Sequence, residues 1–146
     1  MIYTELTKKV MRIAFNAHKD QVDKSGLPYI FHPYHLAEQM TDEVSICVAL
    51  LHDVVEDTTV TFEKLINQDI PNEIIDTLQL LTHEDNFPYM EYIEKIKGSG
   101  NKTAIDVKLA DLRHNSDKSR LEEIDENALK RIEKYETAIA LLENKV

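Results

Sequence analysis

ALLHDVVEDT, residues 49–58, is an apolar run interrupted by ionisable side chains, and it predicts a helix that buries one side in a core. Asp53, Glu56 and Asp57 stand at i, i+3 and i+4, so their carboxylates share one helical face, and His52 can join from the side. Three neighbouring carboxylates repel one another, and a bound cation would relieve that repulsion. The alternative is a helix C-terminus with solvated acids and a core histidine, and this stretch alone leaves both interpretations open.

Two other stretches contain candidate ligands. His32 stands among Tyr29-Ile30-Phe31-His32-Pro33, where a histidine in apolar company is more often a satisfied core residue than a ligand. In VKLADLRHN, residues 107–115, Asp111 and Asn115 are i, i+4 neighbours on one helical face. Asp111 can ligate a cation and Asn115 can hydrogen-bond a ligand, although a solvated helix with Asp–Lys pairing would give the same pattern.

The remainder of the chain also predicts helices. Apolar spacing, capping residues and helix-opening prolines predict helices at residues 4–20, 33–40, about 42–53, a short segment after Thr61, 71–81, 88–97, about 101–115 and about 126–144. Asp42 or Thr41 would cap the third of these helices, and Asn101 or Thr103 would start the seventh. The residues expected to face inward are Phe62, Leu65 and Ile66 in the short segment and Leu129, Ile132, Tyr135, Ile139 and Leu142 in the last helix. About eight helices with short loops predict a compact, multi-helix all-α fold.

The composition is that of a single ordinary globular domain over residues 1–146, with 42% hydrophobic and 30% charged residues. Three glycines and four prolines are too few for a turn-rich β fold. The single cysteine, Cys47, cannot form a disulfide within the chain and stands in an apolar run, so we expect a small core hydrophobe. The absence of a signal-like apolar stretch near Met1 adds to the expectation of a cytoplasmic protein.

The net charge of −10 predicts a surface that repels nucleic acid and anionic membranes, and we expect neither as a partner. No segment reaches the roughly 18 apolar residues of a membrane span. A phosphate-bearing ligand would need a metal ion and local cations to overcome the overall field. Lys108, Arg113 and Lys118 are candidates for that local charge, with ordinary surface positions as the alternative.

The stretches, in this order and at these separations, resemble the HD-domain phosphohydrolases, and more narrowly the (p)ppGpp hydrolase domains of the RelA/SpoT type and the small stand-alone alarmone hydrolases. The matching segments are AHKDQVDKSGLPYIFHP (17–33), ALLHDVVEDT (49–58), LTHEDNFPYMEYIEKI (81–96) and VKLADLRHNSD (107–117). The resemblance spans about residues 3–142 and implies the all-α HD-domain fold.

The resemblance implies that His32, His52, Asp53 and Asp111 are metal ligands. Two imidazoles and two carboxylates suit Mn²⁺ or Fe²⁺ better than structural zinc. Manganese is the ion that the family usually holds, and another divalent cation is an alternative.

The resemblance also gives Glu56 and Asp57 catalytic roles. Glu56 would orient or deprotonate the attacking water, and Asp57 would help to protonate the leaving oxygen or share the activation of water. Lys24, Ser25 and Asn115 match substrate-binding positions: Lys24 can meet a phosphate, and Asn115 would contact the nucleoside.

The chain departs from the family pattern at two points. Asp23 stands where an arginine that stacks on guanine is common, and a carboxylate there cannot stack and would repel phosphate. The order Asp111-Leu112-Arg113 replaces the usual Asp-Arg-Leu, which turns Arg113 away from the expected direction. Both changes concern recognition of the base and leave the implied metal ligands intact.

The function that the resemblance implies is a Mn²⁺-dependent hydrolase of a small phosphorylated nucleotide. It would remove the 3′-pyrophosphate of ppGpp or pppGpp to give GDP or GTP and pyrophosphate. A hydrolase of a different phosphorylated nucleotide and a non-catalytic nucleotide-binding regulatory module are the alternatives. The oligomeric state and the regulation are left open, since helical apolar stripes serve cores and interfaces alike.

Overall fold

The computed structural model describes residues 1–144, in which the regular structure is helical. The elements are α1 (Glu5–Ala17), α2 (Phe31–Glu38), α3 (Glu43–Leu51), α4 (Val54–Asp57), α5 (Phe62–Asn67), α6 (Asn72–Leu81), α7 (Tyr89–Gly98), α8 (Lys102–Asn115), a 3₁₀ turn (Lys118–Arg120) and α9 (Glu126–Leu142). The only extended pairing within residues 1–144 is an isolated bridge between Val22 and Pro28. The predicted all-α class is confirmed, and the single-turn α4 accounts for the helix beyond the expected eight.

Side chains at the predicted positions cap several helices. Asp42 accepts from the backbone N–H of Ser45 at the start of α3, and Thr61 caps α5. Asn101 caps α8 and also donates to the Thr77 hydroxyl on α6. Because a cap satisfies N–H groups that have no partner inside the helix, each of these residues fixes where its helix begins.

Helix α2 starts earlier than its proline suggests. The sequence predicts a helix opened by Pro33 and continued through Met40, whereas α2 covers Phe31–Glu38. Pro33 occupies the third helical position, where its missing N–H has no partner inside the helix. The earlier start places His32 in the first turn of α2.

The core is organised around α3, whose residues from Ser45 to Leu51 are all buried. It packs against α1, α2, α6 and α8, and α8 also contacts α7 and α9. The chain leaves α3 after Leu51 and re-enters a helix at Val54, so His52 and Asp53 lie in the turn between α3 and α4. None of the helices in residues 1–144 combines the length and apolarity that a membrane crossing demands.

Two residues predicted to face inward are exposed. Ile66 is 50% exposed, because the six-residue α5 presents mainly Leu65 to the core. Leu129 on α9 is 49% exposed, because the buried stripe begins at the preceding Ala128 and continues through Ile132. A shift of one residue rotates a helical side chain by about 100°, which moves Leu129 off the buried face.

Candidate metal centre and active site

Three helical segments bring four candidate ligands together. His32 comes from the first turn of α2, His52 and Asp53 from the turn after α3, and Asp111 from the second half of α8. Each residue offers one ligand atom, and these atoms all lie within 4.8 Å of one another. His32, His52 and Asp111 are buried and Asp53 is partly buried, so these four residues, the metal cluster, could together hold one metal ion.

The contacts inside the cluster alternate imidazole nitrogens with carboxylate oxygens. His32 Nε2 lies 2.9 Å from Asp111 Oδ1, and His52 Nε2 lies 2.9 Å from Asp53 Oδ2. His52 Nε2 is also 3.4 Å from Asp111 Oδ1. Two nitrogens and two oxygens therefore converge on one small volume.

The hydrogen bonding of His52 supports the fit of a cation. Its Nδ1 lies 2.7 Å from the carbonyl oxygen of Ala49, which can only accept, so Nδ1 carries the proton. In the neutral ring Nε2 then presents a lone pair to the carboxylates of Asp53 and Asp111, and this buried atom has no aligned hydrogen-bond partner. These repulsive contacts are relieved either by a second proton on Nε2 or by a metal ion, and a metal ion that binds there displaces the proton.

Burial and neighbouring charges shift the pKa values in the cluster. Burial alone would lower the pKa of His52, but the carboxylates of Asp53 and Asp111 outweigh it and raise that pKa well above its ordinary value. Burial would raise the pKa of Asp111, but Lys108 and the two imidazoles hold it well below the usual range. The carboxylates are thus kept ionised, the state in which they ligate metals.

Lys108 is part of the site rather than a surface residue. Its side chain is 13% exposed, and Nζ lies 2.9 Å from Asp111 Oδ2. The ammonium also lies 5.2 Å from the centre of the Tyr92 ring, a cation–π contact. Lys108 was one of three candidates for local positive charge, and the structure places it on the wall of the cavity that contains the metal cluster.

Two residues that the sequence did not single out support the ligands. The Tyr29 hydroxyl donates to Asp53 Oδ2, and His114 Nδ1 lies 2.7 Å from His32 Nδ1. Tyr29 precedes His32 in the segment 17–33, and His114 precedes Asn115 in the segment 107–117. The sequence indicates only that Tyr29 and His114 stand close to predicted site residues. The direction in which their side chains point depends on how α2 and α8 pack.

Glu56 and Asp57 lie on α4 at the open side of the cluster. Together with Asp53 they form a second group of carboxylates whose oxygens lie within 4.8 Å of one another, as the i, i+3, i+4 spacing predicts. Glu56 Oε1 accepts from the backbone N–H of His83 at 2.7 Å, which orients that carboxylate. Burial, followed by the charges of Asp53 and Glu56, raises the pKa of Asp57 to about 6.

The metal cluster opens into one cavity, and a second cavity adjoins it. The cavity of about 220 Å³ contains His52, Asp53, Glu56, Asp57 and Asp111 on its wall. A second cavity of about 260 Å³ contains Lys24 and Ser25. The two cavities share the residues Tyr29, Asn115 and Tyr135.

The three predicted substrate-binding residues occupy different environments. Lys24 is exposed and lines the second cavity. The Ser25 hydroxyl donates to the carbonyl oxygen of Arg120 at 2.5 Å, a contact that joins two loops. Asn115 donates through Nδ2 to Asp111 Oδ1 at 3.0 Å, so it connects the metal cluster to the second cavity.

The other two candidates for local positive charge lie elsewhere. Arg113 is 55% exposed in its side chain and pairs with Glu143 at 3.2 Å, on the outer side of α8. Lys118 is exposed on the 3₁₀ turn, and neither residue lines the two cavities. The expectation that Arg113 turns away from the site agrees with this placement.

Asp23 has structural partners of its own. Its Oδ1 accepts from the backbone N–H groups of Ser25 at 2.8 Å and Leu27 at 3.0 Å, which closes the loop around Gly26. Its Oδ2 lies 3.7 Å from Arg120 Nη2. The carboxylate that the sequence predicts to repel phosphate is therefore paired with a cation on the same cavity wall.

The fold and site define an all-α domain with a buried His/Asp cluster beside a pair of carboxylates. A solved structure of a metazoan ortholog of SpoT, which hydrolyses ppGpp, has the same fold: the TM-score is 0.74 at 21% identity, covering 97% of this chain and 87% of that one. The predicted all-α HD-domain fold is thus confirmed by comparison.

Curated relatives match over part of the chain. A chloroplastic putative GTP diphosphokinase, RSH1, of Arabidopsis thaliana is 46% identical over 66 residues, 42% of this chain and 8% of the relative. The guanosine-3′,5′-bis(diphosphate) 3′-pyrophosphohydrolase of Aquifex aeolicus is 39% identical over 67 residues, 43% of this chain and 10% of the relative. The bifunctional (p)ppGpp synthase/hydrolase SpoT of Escherichia coli K12 is 44% identical over 57 residues, 36% of this chain and 8% of the relative.

The matched segments thus span a tenth or less of these relatives' lengths. No family model matches the chain. The resemblance to RelA/SpoT-type proteins is confirmed in sequence over about two fifths of the chain and in fold over nearly all of it.

Proposed function

We propose that this chain is a metal-dependent hydrolase that removes the 3′-pyrophosphate of ppGpp or pppGpp and releases pyrophosphate with GDP or GTP. The observation that carries the proposal is the convergence of four ligand atoms from His32, His52, Asp53 and Asp111 beside the Glu56–Asp57 pair. The names of the similar proteins supply the substrate.

The proposed metal ligands are His32, His52, Asp53 and Asp111, and the proposed ion is Mn²⁺, with Fe²⁺ or another divalent cation as alternatives. A mixed set of imidazoles and carboxylates without thiolate favours such ions. When bound, the ion supplies a Lewis acid that polarises the phosphoryl group and lowers the pKa of water. Lys108 contributes a second, fixed positive charge through its contact with Asp111.

Glu56 and Asp57 are proposed to move the protons. Glu56, oriented by the N–H of His83, takes a proton from the attacking water as a bond forms between water oxygen and phosphorus. Asp57 gives a proton to the nucleoside 3′ oxygen as the bond from phosphorus to that oxygen breaks. The products are pyrophosphate and a nucleotide with a free 3′ hydroxyl.

The two adjoining cavities suit the two parts of such a substrate. The cavity with the metal cluster and Lys108 suits the pyrophosphate, and the second cavity, reached past Asn115, suits the nucleoside. Lys24 is proposed to meet phosphate as a mobile point charge. Ser25 is proposed to hold the loop that carries Lys24, because its hydroxyl bonds the carbonyl of Arg120.

A nucleotide panel with Mn²⁺ tests the proposal. Purified protein is loaded with Mn²⁺, its metal content is verified, and release of pyrophosphate is measured from ppGpp, pppGpp, other nucleotides and simple phosphomonoesters. We expect ppGpp or pppGpp to be the best substrate. Absence of turnover on both compounds, with the metal verified as bound, would overturn the proposal.

A hydrolase with the same residues but a different phosphorylated nucleotide as its substrate is the second candidate. Asp23 favours it, since a carboxylate stands at a position where the resemblance implies a guanine-stacking arginine. The same panel separates the two candidates, because a wide preference for ppGpp excludes this one.

The proposal also covers the domain organisation, the cellular location and the partners of the protein. We propose a single domain over residues 1–146 that acts in the cytoplasm on a small nucleotide, without nucleic-acid or membrane partners. The net charge of −10 and the single buried cysteine support this setting.

A further inference from the structure

A planar cation lies on the wall of the second cavity. Arg120, at the end of the 3₁₀ turn, has a side chain that is 24% exposed and faces the cavity that also contains Lys24 and Asn115. The resemblance gives Arg120 no substrate-binding role, because this residue lies outside the four matching segments, 17–33, 49–58, 81–96 and 107–117.

Three contacts hold the Arg120 guanidinium, two from the end of α8 and one from the loop of Asp23. Nη1 donates to the carbonyl oxygen of His114 at 2.8 Å and lies 3.4 Å from Asn115 Oδ1, while Nη2 lies 3.7 Å from Asp23 Oδ2. Its backbone carbonyl accepts from the Ser25 hydroxyl, which joins the 3₁₀ turn to the loop of Asp23. A long, flexible side chain is thereby held in one orientation before any ligand arrives.

The same contacts link the second cavity to the metal cluster. The side-chain oxygen of Asn115 accepts a hydrogen bond from Arg120 Nη1, and its side-chain nitrogen donates one to Asp111 Oδ1. A ligand group that contacts Arg120 is therefore placed at a fixed distance from Asp111.

The pairing with Asp23 decides which ligand group suits Arg120. A guanidinium beside a carboxylate offers a phosphate little net charge, but it keeps its planar face and its remaining N–H donors. The lining of the same cavity also includes the apolar side chains of Leu121, Ala128 and Ile132. A cavity with apolar side chains and a planar donor in its lining suits an aromatic base with acceptor atoms on its edge.

We propose that Arg120 is the specificity-determining residue for the nucleobase, and that Asp23 and Asn115 position it. The ligand class is a purine nucleotide with a preference for guanine, whose O6 and N7 both accept from a guanidinium, whereas adenine presents a donor amino group beside N7. This inference rests on the proposed function for its nucleotide substrate. It assigns to Asp23 the role of an anchor for the cation that reads the base.

Binding of two diphosphates tests the inference without requiring turnover. GDP and ADP are titrated calorimetrically into Mn²⁺-loaded wild-type protein and into Arg120→Lys and Arg120→Gln. We expect wild type to favour GDP, and both variants to reduce the ratio of GDP to ADP affinity by roughly tenfold, the lower part of the range for loss of a bidentate base contact. Arg120→Lys retains the charge beside Asp23 but not the planar fork, so it separates geometry from charge.

Two further variants complete the design. Asp23→Asn should also reduce the ratio, and its effect should not add to that of Arg120→Lys, because both act on one contact. Arg113→Lys makes the same chemical change at an exposed arginine outside both cavities and should leave the ratio unchanged. Thermal melts and metal analysis show which variants are folded and loaded.

The outcomes separate the inference from the proposed function. Equal affinity of wild type for GDP and ADP, or an unchanged ratio in both folded Arg120 variants, overturns the role of Arg120. A ratio that depends on Arg120 in a protein that does not turn over ppGpp supports the inference and overturns the proposed function alone.

Discussion

The Nδ1 atoms of His32 and His114 lie 2.7 Å apart, and the two rings are nearly parallel, with an interplanar angle of 4° and centres 5.0 Å apart. One of the two atoms must carry a proton and the other must not. Burial, followed by the charge of Arg120, lowers the pKa of His114 to about 4, so His114 is neutral and has one ring nitrogen that can accept. When His32 ligates a metal ion through Nε2, its Nδ1 carries the proton of the ring and donates it to His114 Nδ1.

Replacing His114 should therefore weaken metal binding without removing a ligand. We expect His114→Ala to reduce Mn²⁺ affinity by about 10–100-fold, the usual cost of losing the partner that orients a ligating histidine. His114→Asn should recover part of the loss, because its side-chain oxygen can accept from His32. Competition with a chelator measures the affinities.

The neighbouring His35 supplies the control for this prediction. It is exposed and its ring centre lies 4.2 Å from that of His114, but it makes no contact with the ligands. His35→Ala should change the affinity by less than His114→Ala. Equal losses in the two variants would mean that packing among the imidazole rings, rather than the Nδ1 contact, supports the site.

Glu56 and Asp57 should respond differently to the leaving group. Both Glu56→Gln and Asp57→Asn should lower turnover of the nucleotide by about 10²–10⁴-fold while the protein keeps its metal. With a p-nitrophenyl phosphodiester, whose leaving group needs no proton, Asp57→Asn should recover most of the loss and Glu56→Gln should not. Steady-state rates with both substrates measure the difference.

Glu63→Gln is the matched control for these carboxylates, since Glu63 is exposed on α5. It should leave both rates unchanged. Recovery by Glu56→Gln instead of Asp57→Asn would reverse the two assignments. Full turnover in both variants would mean that neither Glu56 nor Asp57 moves a proton in the reaction.

Cys47 should be unreactive in the native protein. It is fully buried, and burial, with a smaller contribution from Glu43, raises the pKa of its thiol to about 12. At pH 8 only about one thiol in 10⁴ is then ionised, so a thiol-specific reagent should label the folded chain very slowly and the denatured chain at once. Rapid labelling of the native protein would contradict the burial of α3.

The same shift predicts a dependence of stability on pH. The unfolded thiol ionises above its ordinary pKa of 9.0 whereas the folded thiol does not until about 12, so the folded state binds the extra proton and loses stability as the pH rises through that range. The slope from this one group is at most about 1.4 kcal/mol per pH unit. Denaturant unfolding of Cys47→Ala lacks this slope, and the difference between the two proteins isolates it from other groups.

Features that depend on only a few neighbouring residues could be predicted from the sequence. Asp42, Thr61 and Asn101 cap the helices for which they were candidates, because a cap needs only the next three residues. The spacing of Asp53, Glu56 and Asp57 likewise determines that their carboxylates share a face.

Contacts between segments that are distant in the chain could not be predicted from local sequence patterns. The burial of Lys108 depends on α7, which places Tyr89 and Tyr92 beside α8. The pairing of Asp23 with Arg120 joins loops almost a hundred positions apart, and no spacing rule predicts it. Sequence patterns therefore indicated the candidate ligands, while the charges around them required the packed structure.

Removal of the Lys108 charge should destabilise the protein in a way that metal corrects. Lys108 and Asp111 form a buried ion pair, and loss of one partner from such a pair costs about 3–5 kcal/mol because the other charge is left uncompensated. We expect Lys108→Met to lower the free energy of unfolding by about 3 kcal/mol in a chelator. Saturating Mn²⁺ should restore part of it, because a cation beside Asp111 replaces the lost charge. Lys102→Met, which breaks the exposed Lys102–Asp106 pair on the same helix, should cost much less than Lys108→Met and show no such correction. Urea titrations with and without metal measure both variants, and equal losses in the two conditions would place the ion away from Asp111.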